Sequence, residues 1–335
     1  MSERDDQLRR WLRSVLAGRE PELAPASSDA SFRRYWRLQD GSRSLIAVDA
    51  PPGTENNAAF VRLARSLRAI GLNVPRIVAE DPGRGFLLIG DLGRRLYLDH
   101  LGPETADRLY GDAIGALIAL QAAGPVEGLP DYDAAFLERE LRLFDEWLLT
   151  GLLGLDIDAR GRAILEGAYD ALIGNAVEQP QVCVHRDFHS RNLMLTERGS
   201  PGILDFQDAV RGPVTYDLVS LLRDCYIDWP AQRVEDWRDG YLNLAVQSGV
   251  LRPEDAASLP RWFDLMGAQR HLKAAGIFAR LRLRDDKDGY LQYLPRTLGY
   301  VVALGPVYPE MADLAALLRE RVLPRIAALP GCHSA

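Results

Sequence analysis

Apolar side chains recur at helical spacing near the start of the chain, which predicts an opening amphipathic helix. Residues 31–50 then show two β-rich runs separated by a polar turn at 39–42, and this pattern predicts a hairpin. The apolar positions of the opening helix are Leu8, Trp11, Leu12, Val15 and Leu16.

Residues 55–71 return to helical spacing, with Gly71 as the expected C-terminal cap. Two further strands are predicted at 74–80 and 85–90, on either side of a turn. The order strand, strand, helix, strand, strand predicts a small α+β lobe. The apolar face of its helix consists of Phe60, Leu63, Leu67 and Ile70.

The rest of the chain is typical of helices, apart from one segment. Between 181 and 208, short apolar runs alternate with polar residues and a turn, which indicates a loop followed by a hairpin. Helices are predicted near 104–123, 133–150, 159–177, 213–227, 231–248, 257–284 and 309–328.

Composition and charge argue against several classes of function. The net charge of -7 and the pI near 5.4 argue against general nucleic-acid binding, with a local basic groove as the remaining alternative. We expect no membrane association, because no apolar run reaches the roughly 18 residues of a membrane span and the start lacks a signal-peptide core. Three cysteines without paired spacing suit a reducing compartment, so we expect a cytoplasmic protein.

The segment CVHRDFHSRNLML, residues 183–195, concentrates candidate chemistry. His185 and His189 have the spacing of a zinc site on a helix, but the strand–loop setting and the missing glutamate argue against one. Phosphoryl transfer explains more residues: Asp187 can accept a hydroxyl proton, while Asn192 and Asp205 can hold Mg²⁺ through oxygen. A solvated acidic loop is the remaining alternative.

HRDFHSRN at 185–192 and LDFQD at 204–208 resemble the catalytic and metal loops of the aminoglycoside phosphotransferase and choline kinase group, relatives of protein kinases. The resemblance implies ATP, Mg²⁺ and a two-lobed, protein-kinase-like α+β fold. A small antiparallel-sheet N-lobe, residues 1–91, would bind nucleotide, and a mainly helical C-lobe, residues 92–335, would carry the catalytic loop and the substrate site.

The same resemblance assigns supporting roles. Gly90, Asp91 and Leu92 would form the hinge against the adenine, with the backbone of the first and last contacting the base. His185 would support the catalytic loop and Asp217 would anchor it. For Asp217, an ordinary carboxylate at a helix start explains the sequence equally well.

Four separate segments are more specific. Residues 28–38, 48–64, 85–99 and 269–281 resemble bacterial anomeric kinases that phosphorylate N-acetylmuramate and N-acetylglucosamine at the 1-hydroxyl. That resemblance implies an amino-sugar substrate in peptidoglycan recycling, with the product passed to a sugar-1-phosphate uridylyltransferase.

The chain departs from the kinase pattern in the first hairpin. No glycine-rich loop is present, and Asp49 occupies the approximate position of the usual lysine. Arg33 or Arg34 can replace the lysine, but neighbours on a strand face opposite ways, so only one should face phosphate. Alternatively, both arginines lie on a solvated edge. Two serines can donate hydrogen bonds to phosphate or simply shape the turn, and they are Ser28 and Ser31.

A cationic stripe on the predicted helix at 257–284 suggests an anionic acceptor. At 100° per residue its members fall within about 80° of arc, and a solvated or salt-bridged face is the alternative interpretation. Asp208 and Arg211, just beyond the metal loop, are further candidates for sugar contact. The stripe consists of Arg270, Lys273, Ile277, Arg280 and Arg284, of which Arg270, Lys273 and Arg280 are the substrate candidates.

Two other functions compete with the sugar kinase. An aminoglycoside or choline phosphotransferase should have an acidic or aromatic site, because its acceptors are cations. A nucleotide-binding regulatory pseudokinase would explain the missing lysine and glycines, but it has no need for the proton acceptor Asp187.

Overall fold

The computed structural model describes residues 3–27, 33–53, 56–197 and 199–330. The chain divides into two compact units: residues 1–125 with 191–209, and residues 126–190 with 210–335. This division differs from the boundary after residue 91 that the sequence suggested, and the assignment of functions to two lobes stays a prediction. Among the helices described, none combines the length and apolar character that crossing a bilayer requires.

An antiparallel sheet organises the first unit. Its strand order is β1-β2-β3-β5-β4, and the predicted β2–β3 hairpin and both later strands are confirmed. The edge strand β1 was not predicted, because it is only four residues long and contains Pro25. The strands are β1 (Ala24–Ser27), β2 (Arg34–Asp40), β3 (Arg43–Asp49), β4 (Ile77–Asp81) and β5 (Phe86–Gly90).

Helix α1 (Glu3–Val15) covers one face of this sheet with the predicted apolar stripe. Val15 is the exception and is 38% exposed, because it lies at the last turn of the helix. Helix α2 (Asn57–Ala69) begins at the Asn56 side chain, which accepts a hydrogen bond from the Ala59 amide. The helix ends at Ala69, and Gly71, which the sequence predicted as the terminating glycine, follows two residues later with φ +90°. Helix α3 (Ala106–Ala123) completes the helices of this unit.

A short hairpin far along the chain belongs to the same unit. Strands β7 (Leu193–Met194) and β8 (Gly202–Ile203) pair with each other. The Ile203 amide donates to the Asn73 carbonyl at 2.8 Å, and the Tyr97 amide donates to the Leu193 carbonyl at 2.8 Å. The hairpin predicted within 181–208 is therefore confirmed and is held by backbone hydrogen bonds from two earlier segments.

The second unit is mainly helical, with one two-stranded sheet of β6 (Gln181–Val184) and β9 (Val210–Pro213). Helix α4 continues as a π-helical segment from 144 to 152. The antiparallel sheet and the helices confirm the α+β class. The helices are α4 (Ala134–Leu143), α5 (Ala159–Val177), α6 (Tyr216–Leu222), α7 (Ala231–Gln247), α8 (Leu259–Asp285), α9 (Leu294–Val302), α10 (Ala312–Leu317) and α11 (Leu323–Ala327).

Helix α8 is the centre of the second unit and packs against α4, α5, α6 and α9. Most of its residues are buried, which is why charged groups on it face protein rather than water. Gly276 permits the close approach to α4, since a Cβ there would lie 2.4 Å from the Leu143 carbonyl carbon. Any larger residue would force the two helices apart.

Candidate active site

The loop at 185–190 follows β6 and is held by hydrogen bonds to a buried carboxylate. Asp217, in the first turn of α6, accepts hydrogen bonds from the amides of His185 (2.6 Å) and Arg186 (3.0 Å). Burial raises the pKa of Asp217 to about 6, although His185 and these two amides oppose the change. The Asp217 carboxylate therefore holds the start of this loop, and the anchoring role that the resemblance implied for it stays a prediction.

Asp187 lies at the middle of this loop and is half-buried. Its amide donates to Nδ1 of His185 at 3.2 Å, which leaves the Nε2 position of that ring to carry the proton. Burial raises the pKa of Asp187, but nearby Lys273, His189 and Arg186 together lower it below its ordinary value. The carboxylate is therefore ionised at neutral pH, which is the form that can accept a proton.

A second carboxylate, Asp224, fixes the end of the loop. It accepts hydrogen bonds from the Ser190 amide (3.0 Å) and hydroxyl (2.6 Å) and is almost completely buried. Burial lowers the pKa of His189, although Asp224 and Asp187 act in the opposite sense. His189 is therefore neutral near pH 7. In the described ranges, no group of three or more His, Cys, Asp or Glu residues is placed to hold a metal, so the zinc alternative has no ligand set there.

Two members of the cationic stripe, Arg270 and Lys273, are buried inside the second unit. Nζ of Lys273 lies 3.0 Å from Oε1 of Glu140 and donates to the Tyr216 hydroxyl at 2.9 Å. Arg186 and the Tyr132 hydroxyl also donate to Glu140. Burial raises the pKa of Glu140, but Lys273 and Arg186 outweigh it and lower the net value. We call these five residues, Glu140, Arg186, Lys273, Tyr132 and Tyr216, the Glu140 cluster.

The remaining substrate candidates of this unit have different surroundings. Arg270 is buried, with Nη1 3.7 Å from the Cys225 sulfur. Arg211, on β9, lies 3.3 Å from Asp131 at the surface. Arg280 is half-buried on α8. The stripe is therefore neither uniformly solvated nor uniformly paired.

The first unit brings the two predicted metal ligands together. Asn192 precedes β7, and its carbonyl accepts a hydrogen bond from the Leu204 amide at 3.0 Å, directly before Asp205. Nε2 of Gln207 donates to Asp205 at 2.8 Å and to the exposed Asp208 at 3.1 Å. An amide oxygen and a carboxylate at one hairpin end are ligands that Mg²⁺ accepts, so the donor set fits the implied metal.

The structure separates the two candidate arginines of the first hairpin. Arg34 lies 2.6 Å from Asp49 and 2.8 Å from Asp5, so it is paired on the side of α1. The guanidinium of Arg33 lies 5.8 Å from the Phe60 ring, which stacks on Phe206 at 4.9 Å. Arg33 is buried and lies on the side of the metal-ligand hairpin.

Asp49, which stands near the position of the kinase lysine, has a structural role. It is 1% exposed and pairs with Arg4 as well as Arg34. Ser28 and Ser31 lie outside the described residues, so their predicted phosphate contacts stay predictions.

In the predicted hinge, Asp91 makes contacts through its side chain and Gly90 through its backbone. The Asp91 carboxylate pairs with Arg37 (2.6 Å) and accepts hydrogen bonds from the Ser44 hydroxyl (2.5 Å) and the Gly93 amide (2.9 Å). Burial raises the pKa of Asp91, but these partners lower the net value. The Asp91 side chain therefore holds the segment in place, and the Gly90 amide donates to the Arg76 carbonyl at 2.8 Å.

Sequence reasoning missed several residues of the site. Most of their contacts join positions more than 30 apart along the chain, and the contact between Tyr132 and Glu140, eight positions apart, does not follow helical or strand spacing. They are Tyr132, Glu140, Ser190, Tyr216 and Asp224.

Comparison with known proteins agrees with the loop chemistry. The phosphotransferase enzyme family matches residues 22–256. An N-acetylmuramate/N-acetylglucosamine kinase of Pseudomonas aeruginosa is 47% identical over 94% of this chain and 96% of the relative. A kinase of the same name from Neisseria meningitidis is 42% identical over 96% of both chains. The resemblance seen in four sequence segments is thereby confirmed.

Solved structures confirm the kinase-like fold. Choline kinase LicA from Streptococcus pneumoniae has a TM-score of 0.64 at 11% identity, covering 90% of this chain and all of that one. A choline/ethanolamine kinase family protein from Mesorhizobium loti has a TM-score of 0.62 at 17% identity, covering 94% and 99%. At these identities the likeness concerns the fold alone.

Proposed function

Because this chain belongs to the phosphotransferase enzyme family, we propose that it transfers the γ-phosphoryl group of ATP to the anomeric hydroxyl of N-acetylmuramate and N-acetylglucosamine. The observation that carries the proposal is the agreement, over nearly the whole chain, with relatives named for these two sugars. Membership in a kinase-like family itself implies ATP and a divalent metal ion.

In the proposed reaction Asp187 orients the sugar 1-hydroxyl and accepts its proton. The hydroxyl oxygen bonds to the γ-phosphorus, the bond from that phosphorus to the β–γ bridging oxygen breaks, and ADP leaves. Support for this role comes from the low pKa of Asp187 and from the two buried carboxylates, Asp217 and Asp224, that hold its loop. A fixed, ionised acceptor loses little freedom when the substrate arrives.

Asn192 and Asp205 would hold the divalent metal, for which we propose Mg²⁺. When bound, such an ion neutralises charge on the phosphates. The backbone hydrogen bond between Asn192 and Leu204 keeps these two ligands adjacent. Gln207 stands where kinases have glycine and donates to Asp205, which indicates a fixed rather than a switching metal loop.

Arg33 is the proposed replacement for the kinase lysine. Its guanidinium packs over Phe60, which stacks on Phe206 in the segment that carries Asp205, whereas Arg34 lies on the side of α1 beside Asp49 and Asp5. A guanidinium can bind two phosphate oxygens at once, so one arginine can take the place of the lysine.

The proposed product is a sugar 1-phosphate. A sugar-1-phosphate uridylyltransferase of peptidoglycan recycling would consume it. The use of ATP and the transfer of the product to a nucleotide-sugar pathway would place the reaction in the cytoplasm.

An acceptor panel tests the proposed function. Purified protein with ATP and Mg²⁺ should release ADP with N-acetylmuramate and N-acetylglucosamine, and not with kanamycin or choline. Glucose tests whether the acetamido group is needed. Turnover of kanamycin or choline alone would support an antibiotic-type or choline-type enzyme, and ATP binding without any turnover would support the pseudokinase.

A further inference from the structure

The cations of the α8 stripe differ in how they are neutralised. Arg270 is next to Asp224 and Cys225, and Lys273 is paired with Glu140. Arg284 lies at the surface with two hydrogen bonds of 2.8 Å to Asp285. Each of these three cations therefore has a hydrogen-bond or salt-bridge partner supplied by the chain.

Arg280 differs from the other three. Its Nε is buried and has no hydrogen-bond acceptor, and across the described part of the chain its guanidinium forms no salt bridge. Burial and the neighbouring Arg284 lower the pKa of Arg280, while Asp285 and Glu140 oppose this change from beyond salt-bridge distance, and an arginine stays charged at neutral pH. A buried donor without an acceptor is costly, so this position favours an incoming anion.

Arg280 also lies on the same helix as Lys273, the residue that helps to lower the pKa of Asp187. It follows Lys273 by seven residues, which is about 10 Å along the helix axis. Glu140, the partner of Lys273, also attracts Arg280. Arg280 therefore lies on the face of α8 that contributes Lys273 to the Glu140 cluster.

We infer that Arg280 binds the carboxylate of an acidic amino sugar and gives the enzyme its preference for that sugar over the neutral one. The inference rests on the proposed function. In N-acetylmuramate the carboxylate is on the 3-O-lactyl group, whereas N-acetylglucosamine has none. A guanidinium fork can hold both carboxylate oxygens, so removal of Arg280 should affect only the sugar that carries the charge.

The test compares three acceptors in the full-length protein: N-acetylmuramate, its methyl ester and N-acetylglucosamine. In Arg280→Ala, kcat/KM for N-acetylmuramate should fall by roughly 10- to 100-fold, as expected for a lost charge-assisted hydrogen bond. Values for the ester and for N-acetylglucosamine should change less than about threefold. Arg280→Lys, which keeps the charge but not the fork, should give an intermediate loss for N-acetylmuramate.

Arg284→Ala is the matched control, one helical turn away and already paired with Asp285. It should leave all three acceptors unchanged. Equal losses for N-acetylmuramate and N-acetylglucosamine in both Arg280 variants would overturn the inference, as would a wild-type enzyme that treats acid and ester alike. Wild-type protein that phosphorylates neither sugar would instead overturn the proposed function.

Discussion

The 185–190 loop and the β2–β3 hairpin use charge in different ways. Around the loop, carboxylates from distant positions, Asp217 and Asp224, fix a short run of residues whose spacing is visible in the sequence. In the hairpin, two adjacent arginines have opposite surroundings, and one of them pairs with Asp49. Functional residues that lie in one short segment can be predicted from their spacing in the sequence. The different roles of two neighbouring arginines can be assigned only when the strand pairing and the side-chain packing are known.

The largest effect is expected at the loop. Asp187→Asn removes the proton acceptor without changing its size, so kcat should fall at least about 10²-fold and up to ~10⁴-fold. ATP affinity, measured by calorimetry, should stay within a few-fold. Asp170→Asn, at an exposed carboxylate on α5, is the control. Retained turnover in Asp187→Asn would exclude this residue as the base.

The next largest effect concerns the support of the loop. Lys273→Met leaves the buried Glu140 with one cationic partner fewer, and breaking a buried pair costs about 3–5 kcal/mol of folding free energy. Lys273 also helps to lower the pKa of Asp187, so its loss should move the acidic limb of the kcat/KM profile to higher pH. Lys287→Met, at the other lysine of the chain, should alter neither property. An unchanged acidic limb would limit Lys273 to a structural role.

Two single variants test which of the two neighbouring arginines, Arg33 or Arg34, contacts phosphate. Arg33→Ala should lower kcat/KM for ATP by roughly 10- to 100-fold, the range expected when a charge-assisted hydrogen bond is lost. Arg34→Ala should instead lower the melting temperature and leave the ATP dependence nearly unchanged, because Arg34 pairs with Asp49 and Asp5. The reverse result would assign the phosphate to Arg34.

The smallest effect is expected where α8 meets α4. Gly276→Ala inserts a methyl group against the Leu143 backbone, close in sequence to Glu140, and should cost about 1–3 kcal/mol of folding free energy. Gly174→Ala, on α5 with open space around it, should be neutral or slightly stabilising. Denaturant titration measures both. Equal stability of the two variants would mean that the close approach is readily relaxed.

Much of the architecture was visible in the sequence, because long amphipathic patterns and turn residues act locally. The predicted helix at 159–177 coincides with α5, and the predicted hairpin coincides with β2–β3. Other elements depend on packing. The pattern lacked a signal for α9, overextended α6 and missed the short edge strand β1.

The candidate site likewise contains residues that spacing predicts and residues whose partners only the packing reveals. The spacing of Asp187, Asn192 and Asp205 identified loop chemistry, and the structure places the latter two at one hairpin end. Helical periodicity placed four cations on one face of α8 but carried no information about what that face contacts. Glu140 neutralises Lys273 from another helix, and Arg280 has no such partner among the residues described.

The most direct test of the central claim is the position of the phosphate in the product. The protein would be incubated with ATP, Mg²⁺ and N-acetylmuramate, and the product examined by ¹H and ³¹P NMR. We expect the anomeric proton to couple to phosphorus, and we expect a sugar-1-phosphate uridylyltransferase to consume the compound. A phosphate ester at another hydroxyl, or no phosphorylated sugar at all, would contradict the assignment of this chain as an anomeric amino-sugar kinase.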